Sequence, residues 1–362
     1  MSRRLETQGS LVFSAGGSAY REIRENGLAP HRIGTLAGAS GGAKWLVLSQ
    51  LDRVIARQIL PKLSSPVHTI GTSIGAWRFA CYCQADPLAA IDRFEQAYLD
   101  QTYTEKPGRE EVSARTAEIL DHVLGENGAT EILEHPSLRM HIMTVRSRNV
   151  TATEQPFALA AGLIGVATLN MASRRSLGAF FDRVLFHDSR DEPPFYGLNG
   201  FPMTRVTMTE QNLRDAILAT GAIPVVLNGV RDIHGAPPGM YRDGGIIDYH
   251  LDFPHSAADK LALYLHFYNF IKPGWFDKRL PWRYAQPESV DRTILISPSP
   301  AFVARLPNGK IPDRRDFVKL ERAERVRIWR GVVSACQEIA DELEEVLVQD
   351  KLAERLRPLA ES

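Results

Sequence analysis

Between Ser10 and Tyr82 the chain repeats one pattern three times: a short apolar run, a turn bearing glycine, then a stretch with helical spacing. "SLVFSAGG" passes into "SAYREIRENGL", where Tyr20, Ile23 and Leu28 keep helical spacing and Gly27 stops it. "RIGTLAGAS" passes into "AKWLVLSQLDRVIARQIL", with Trp45, Leu48, Leu51 and Ile55 on one face. "VHTIGTS" passes into "AWRFACYCQADPLAAIDRFEQAYLD", broken near Asp86-Pro87. Short apolar runs bounded by glycine read as buried strands. Strands that alternate with helices make a parallel sheet covered on both sides. The expected fold class is therefore α/β, with three α/β/α layers around a mostly parallel central sheet.

The remaining chain extends this scheme. "RMHIMTVRS", "LALYLHFYNF" and "RTILISPS" read as strands, and "MYRDGGIIDYH" as a short strand running into a glycine turn. "NLRDAILATGAIPVVLN" reads as a helix leading into a loop or strand. "FALAAGLIGVATLNMASRRSLGAFFDRVLFH" reads as a helix followed by a second amphipathic segment, whose Leu177, Phe180, Phe181, Val184 and Leu185 form a broad apolar face. A helix of that kind suits a membrane surface or an acyl channel, or simply its own core. From Arg315 to about Leu356 the pattern is helical, a C-terminal cover. No repeat or linker interrupts the chain, so residues 1–312 are expected to form the catalytic domain and residues 313–362 a helical extension packed on it.

Composition excludes some classes. Lys plus Arg equals Asp plus Glu at 43 each, so the chain as a whole does not attract nucleic acid. Cys81, Cys83 and Cys336 are too few and too oddly spaced for a disulfide framework or a structural zinc site. "MSRRLETQGS" has no apolar stretch, so no signal peptide is read there, and "FALAAGLIGVATLNM" is short for a membrane span. These features together predict a cytoplasmic protein with room for peripheral membrane contact. "KPGWFDKRLPWRY" sets Trp275, Phe276, Trp282 and Tyr284 among cations, as in an interface, a lid or a surface loop.

Three features could carry chemistry. Gly16-Gly17 follows the first strand, where free amides at a helix start can face a phosphate or an oxyanion, or simply turn the chain. Gly-x-Ser-x-Gly occurs twice, around Ser40 and around Ser73, each between a strand and a helix pattern. Such an elbow strains the serine backbone and lifts Oγ above the sheet. Asp243-Gly244-Gly245 places a carboxylate where the backbone can approach another strand closely, although an Asp-Gly turn is the plainer fate. His68, His250 and His255 leave a histidine-based triad open. Asp243, Asp248, His250, Asp252 and His255 match no metal-ligand spacing, so no metal or cofactor is expected.

Taken in order, "LVFSAGGSAY", "GTLAGASGGAKW" and "GAIPVVLNGVRDIHGAPPGMYRDGGIIDYHLDFP" resemble the patatin-like phospholipase family. That family has a glycine-rich oxyanion segment with a basic residue, a Gly-x-Ser-x-Gly elbow and a distant Asp-Gly-Gly. The resemblance implies a patatin-like fold and a Ser–Asp dyad. It also implies a serine lipid acyl hydrolase of phospholipase A, lysophospholipase or carboxylesterase type. Asp243 is then the base. Ser40 is expected as nucleophile, because its elbow lies one βαβ step after Gly16-Gly17 and neighbouring parallel strands end side by side. The oxyanion hole would use Gly16, Gly17 and Gly41, and Ser73 is the alternative nucleophile. The partners implied are a lipid or acyl-ester substrate. An acyltransferase, a thioesterase or a catalytically silent lipid-binding protein remains as the alternative function.

Overall fold

The computed structural model describes residues 9–64 and 66–359; the opening stretch Met1 to Gln8, where no signal peptide was read, lies outside them. The strands are β1 (Leu11–Ala15), β2 (Ile33–Gly38), β3 (Val67–Gly71), β4 (Leu138–Ser147), β5 (Phe181–His187), β6 (Met203–Thr207), β7 (Val230–Arg231), β8 (Met240–Asp243), β9 (Leu261–Leu265), β10 (Thr293–Pro298) and β11 (Leu356–Pro358). They form one sheet in the order β11-β1-β10-β9-β2-β3-β4-β5-β6, with β8 joined to β4 and β7 to β8. The run β10-β9-β2-β3-β4 is parallel. Helices surround this sheet in an α/β/α arrangement. Every residue of β2, β3, β9 and β10 is buried, which is why these strands read as nearly continuous apolar runs.

The first helices are α1 (Gly17–Asn26), α2 (Ser49–Gln58), α3 (Ile74–Tyr82) and α4 (Pro87–Asp100). The break expected near Asp86-Pro87 separates α3 from α4. The Asp86 side chain caps α4 by accepting from the Ala89 amide at 3.0 Å, and Pro87 fills a first-turn position that needs no donor. Inside, Asp52 of α2 accepts from Arg78 of α3 at 2.5 and 2.8 Å and from the Tyr82 hydroxyl at 2.6 Å. α5 (Arg109–Leu124) and α6 (Gly128–Glu134) precede β4 in the chain, and α7 (Pro156–Ala172) and α8 (Glu210–Gly221) follow it.

Two segments depart from the sequence reading. The apolar stretch at Phe181–His187 is not a helix but β5, paired with β4 on one edge and β6 on the other. Its residues up to Phe186 are all buried, so Phe181, Val184 and Leu185 face the interior and not a membrane. The long C-terminal pattern is broken into helices, the main ones over Arg322–Ala335 and Gln337–Val348, and ends as β11 beside β1. No helix among the described residues is long and apolar enough to cross a membrane.

Register explains the convergence at the centre. β3 runs parallel to β4 and ends with Gly71 opposite Ile142. β8 runs antiparallel to β4 and ends with Asp243 opposite Thr144. β5 occupies the other edge of β4, so β3 and β8 meet head-on along one edge. β2 ends level with β3, Gly38 opposite Gly71. Ser40 and Ser73, two residues beyond the ends of β2 and β3, and Asp243, the last residue of β8, therefore arrive at one place.

Candidate active site

Ser73 sits between β3 and α3 with φ 51° and ψ −128°, a conformation that a side chain other than glycine adopts only when its surroundings force it. The surroundings do so here. Gly75 passes so close to β2 that a Cβ on it would lie 2.1 Å from the Gly38 carbonyl oxygen. The Ser73 amide donates to Thr220 Oγ1 at 2.9 Å, and that hydroxyl donates to the Met143 carbonyl at 2.6 Å. α3 begins at the next residue, so its amide end faces the turn.

Ser40 has a different setting. Its chain leaves β2 without a left-handed residue at the serine and enters a 3₁₀ turn over Gly42–Val47, with α2 starting only at Ser49. The Ser40 amide is taken by the Tyr249 carbonyl at 2.9 Å. Its hydroxyl lies 2.9 Å from Thr72 Oγ1 and 3.4 Å from Asp243 Oδ1. Thr72 gives its own proton to the Asp248 carbonyl at 3.0 Å, since a carbonyl can only accept. The single Ser40 proton is therefore shared between the shorter contact to Thr72 and the longer one to Asp243.

Asp243 is buried at the end of β8 and accepts from the Gly245 amide at 2.7 Å. Burial raises its pKa to about 6, against the opposing pull of that amide, of the Ser73 hydroxyl, of the Lys278 charge and of the Ser40 hydroxyl. The glycines after Asp243 mark close approach and not a simple turn. A Cβ on Gly244 would lie 2.1 Å from the Met143 carbonyl oxygen, and one on Gly245 would lie 2.3 Å from Ser40 Oγ.

The oxyanion expectation needs correction at two positions. β1 is antiparallel to β10, with Ala15 opposite Ile294 near the start of β10. Gly16 and Gly17 therefore lie at the opposite end of the sheet from Ser40 and Ser73, against Val290 and Asp291. Adjacency in the chain does not carry over to the sheet, because β9, and not β1, lies beside β2. Gly41 does line the site, and so does Gly42, whose φ of 55° favours glycine. Neither amide donates to a backbone or side-chain acceptor among the described residues.

The histidines do not offer a base. His68 begins β3, at the far end of that strand from Ser73, and pairs with His141 at 3.0 Å. His255 packs by Thr293 and Thr35, at the starts of β10 and β2. His250 lines the site, but its Nδ1 accepts the Lys272 amide at 3.0 Å, so the neutral ring carries its proton on Nε2 and is a donor. Burial holds its pKa well below 6.5. Among the described residues no cluster of three or more His, Cys, Asp or Glu side chains is placed to hold a metal ion.

Ser40, Gly41, Gly42, Ser73 and Asp243 open into one cavity of about 760 Å³. Leu163, Ile164 and Ala167 of α7, with Ile246 and Phe276, form an apolar wall. Trp275 and Phe276 of the aromatic loop thus line the cavity, whereas Trp282 is exposed. What motif reading could not supply is the scaffold behind the site. Arg183 of β5 holds Asp248 through two bonds of 2.7 Å, both side chains buried, and Asp248 in turn receives Thr72. Breaking a buried ion pair by removing one partner costs about 3–5 kcal/mol. Asp248→Asn should lower stability to urea by that order, and unfolding midpoints at constant m-value will show it.

No family model matches the chain, and no curated protein matches it. Among solved structures it is similar to VipD from Legionella pneumophila, at 12% identity and a TM-score of 0.34, over 73% of this chain and 54% of that one. It is also similar to human GIVD cytosolic phospholipase A2, at 11% identity and a TM-score of 0.37, over 93% of this chain and 63% of that one. The chain thus spans less than two thirds of the length of either protein. Likeness at this level bears on neither mechanism nor substrate.

Proposed function

We propose that the chain is a serine-dependent lipid acyl hydrolase in which Ser73 is the nucleophile and Asp243 the base. The observation that carries this reading is the left-handed Ser73 at the start of α3 beside a buried carboxylate. In this scheme Asp243 takes the Ser73 proton as Oγ attacks the ester carbonyl. The amides of Gly41 and Gly42 receive the oxyanion, and Asp243 returns the proton to the departing alcohol. A water activated by Asp243 then releases the acyl group as a carboxylic acid. Ser40 takes a supporting part, packed under Gly245 and tied to Thr72.

This assignment keeps the resemblance to the patatin-like family and moves its parts by one strand. Ser40-Gly41-Gly42-Ala43-Lys44, with a basic residue after its glycines, takes the oxyanion segment's place, and Gly71-Thr72-Ser73-Ile74-Gly75 takes the elbow's. The apolar α7 wall suits an acyl chain. Phe157, Ile164, Leu169 and Met171 on the same helix are exposed, Ile164 of them at the cavity, which suits entry from a lipid surface.

The pH profile tests the role of Asp243. A base must be ionised to accept a proton, and Asp243 has a pKa of about 6. For p-nitrophenyl butyrate, kcat/KM should fall about tenfold per pH unit below that value and level off above pH ~7.5. A protein with no turnover, or with a flat profile between pH ~5 and ~8, would contradict the scheme.

A further inference from the structure

The C-terminal end of α8 reaches the backbone of both Ser73 and Asp243. The Thr220 hydroxyl accepts from the Ser73 amide at 2.9 Å. Two residues on, the Ala222 carbonyl accepts from the Asp243 amide at 3.2 Å. Thr220 also donates to the Met143 carbonyl of β4 at 2.6 Å. Gly244, the residue after Asp243, packs against that same carbonyl, where a Cβ would lie 2.1 Å from the oxygen. One helix end thus holds the two residues that arrive from β3 and β8, and the strand along which both arrive.

Thr220 is fully buried, and its hydroxyl is used in an unusual way. A threonine inside a helix commonly returns its hydroxyl to the carbonyl four residues back. Thr220 instead crosses to β4 and to the turn after β3. A carbonyl only accepts, so the hydroxyl proton goes to Met143 and a lone pair to the Ser73 amide. An apolar side chain of the same shape can do neither. The bond falls on a strained residue, since Ser73 at φ 51° stays in place only where its surroundings over-determine it. α8 is itself held at both ends. At its start the Thr209 amide donates to Asn212 Oδ1 at 2.8 Å, and Asn212 Nδ2 donates to the carbonyls of Thr207 and His234 at 3.0 and 3.1 Å. Beyond its end, Ile223 and Pro224 line the cavity, and Val225 sits at φ 71°, rare for a β-branched residue and a mark of a fixed segment.

We propose that Thr220 is a positioning residue for the reaction: it holds the Ser73 backbone from a helix end that also holds Asp243, and so fixes the separation of nucleophile and base. The proposal rests on the reading of Ser73 and Asp243 in those roles. Thr220 acts through the Ser73 backbone and not on the substrate. Reaction between two held groups is steep in their separation, and a shift of about 1 Å can cost about a hundredfold. Loss of the hydroxyl therefore acts on kcat. KM is spared, because Ile223, Pro224 and the α7 wall keep their places.

Thr220→Val keeps the shape and removes both bonds. With p-nitrophenyl butyrate its kcat should fall about a hundredfold while KM stays within about twofold. Thr220→Ser should bring kcat back to within about threefold of wild type. The second readout is the rate at which a fluorophosphonate ester labels Ser73. Thr220→Val should reach the wild-type endpoint about a hundredfold more slowly. A lower endpoint at an unchanged rate constant is what a merely structural role gives, and it would overturn the proposal. Trp77→Phe is the control, because it removes a bond of 3.2 Å from Trp77 Nε1 to the Ile217 carbonyl, which also joins α3 to α8 but bypasses Ser73. It should lower the urea midpoint yet label within about threefold of wild type. Slowing as large as that of Thr220→Val would overturn the proposal, since any loosening of α3 would then suffice. If Thr220→Val does not fold, Thr220→Cys takes its place; its thiol is a weaker donor and acceptor, so labelling should slow about tenfold, and a wild-type rate would overturn the proposal. Undiminished turnover in Ser73→Ala would overturn the reading of Ser73 as nucleophile. Turnover that depends on Ser73 but is indifferent to Thr220→Val would overturn the positioning role alone.

Discussion

Ser73→Ala should reduce ester turnover by about four orders of magnitude, whereas Ser40→Ala should retain activity to within about tenfold of wild type. Both serines lie near Asp243, so the difference turns on how each is held. Ser73 has the left-handed backbone of an elbow and stands at the start of α3. Ser40 has its amide bonded to Tyr249 and its proton shared between Thr72 at 2.9 Å and Asp243 at 3.4 Å. Loss of the Ser40 hydroxyl removes one weak support of the ionised Asp243. The Ser40→Ala profile should therefore shift toward higher pH, with its plateau nearly unchanged. Steady-state kinetics of both variants across pH will check this.

Asp243→Asn should abolish turnover almost as fully and, at the same time, make the protein more stable. The sign follows from the pKa. In the unfolded chain Asp243 titrates near its ordinary value of 3.8, and in the fold at about 6. Between these values the folded state holds the proton more tightly, so stability falls as pH rises through that window and stays lower above it. Each pKa unit is worth about 1.36 kcal/mol, so the ionised carboxylate costs about 3 kcal/mol at pH 8. Asparagine carries no such cost. Urea unfolding should show Asp243→Asn more stable than wild type by up to about 3 kcal/mol at pH 8 and nearly equal to it at pH 4. A gain of the same size at both pH values would mean that the carboxylate's ionisation is not its source. In the proposed scheme the site thus keeps a destabilising group where a base is needed, a familiar trade between stability and activity.

Much of the fold was legible because its signals are local. Strand, glycine and helix follow one another from Leu11 to Tyr82, and β2, β3, β9 and β10 are mostly apolar and buried throughout because both of their faces are covered. Phe181–His187 was misread because a short apolar run fits a helical face as well as a strand, and only its pairing with β4 and β6 decides. Gly16-Gly17 was misplaced for a topological reason. β1 lies next to β10, some 280 residues on, and runs against it, which no local pattern announces. The choice between the serines had a signal that motif spelling hides. After Ser40 come Gly41 and Gly42, poor helix residues, and the α-helix is delayed to Ser49. After Ser73 the helix starts at once. The scaffold of Thr72, Asp248 and Arg183 comes from distant segments, so only the folded chain brings it together.

The most direct measurement is the identity of the residue that a fluorophosphonate ester labels in the wild-type protein, read by tandem mass spectrometry of its peptides. The account predicts a single phosphonylated site at Ser73, with labelling that slows as pH falls below about 6. A label on Ser40, with Ser73 unmodified, would contradict it.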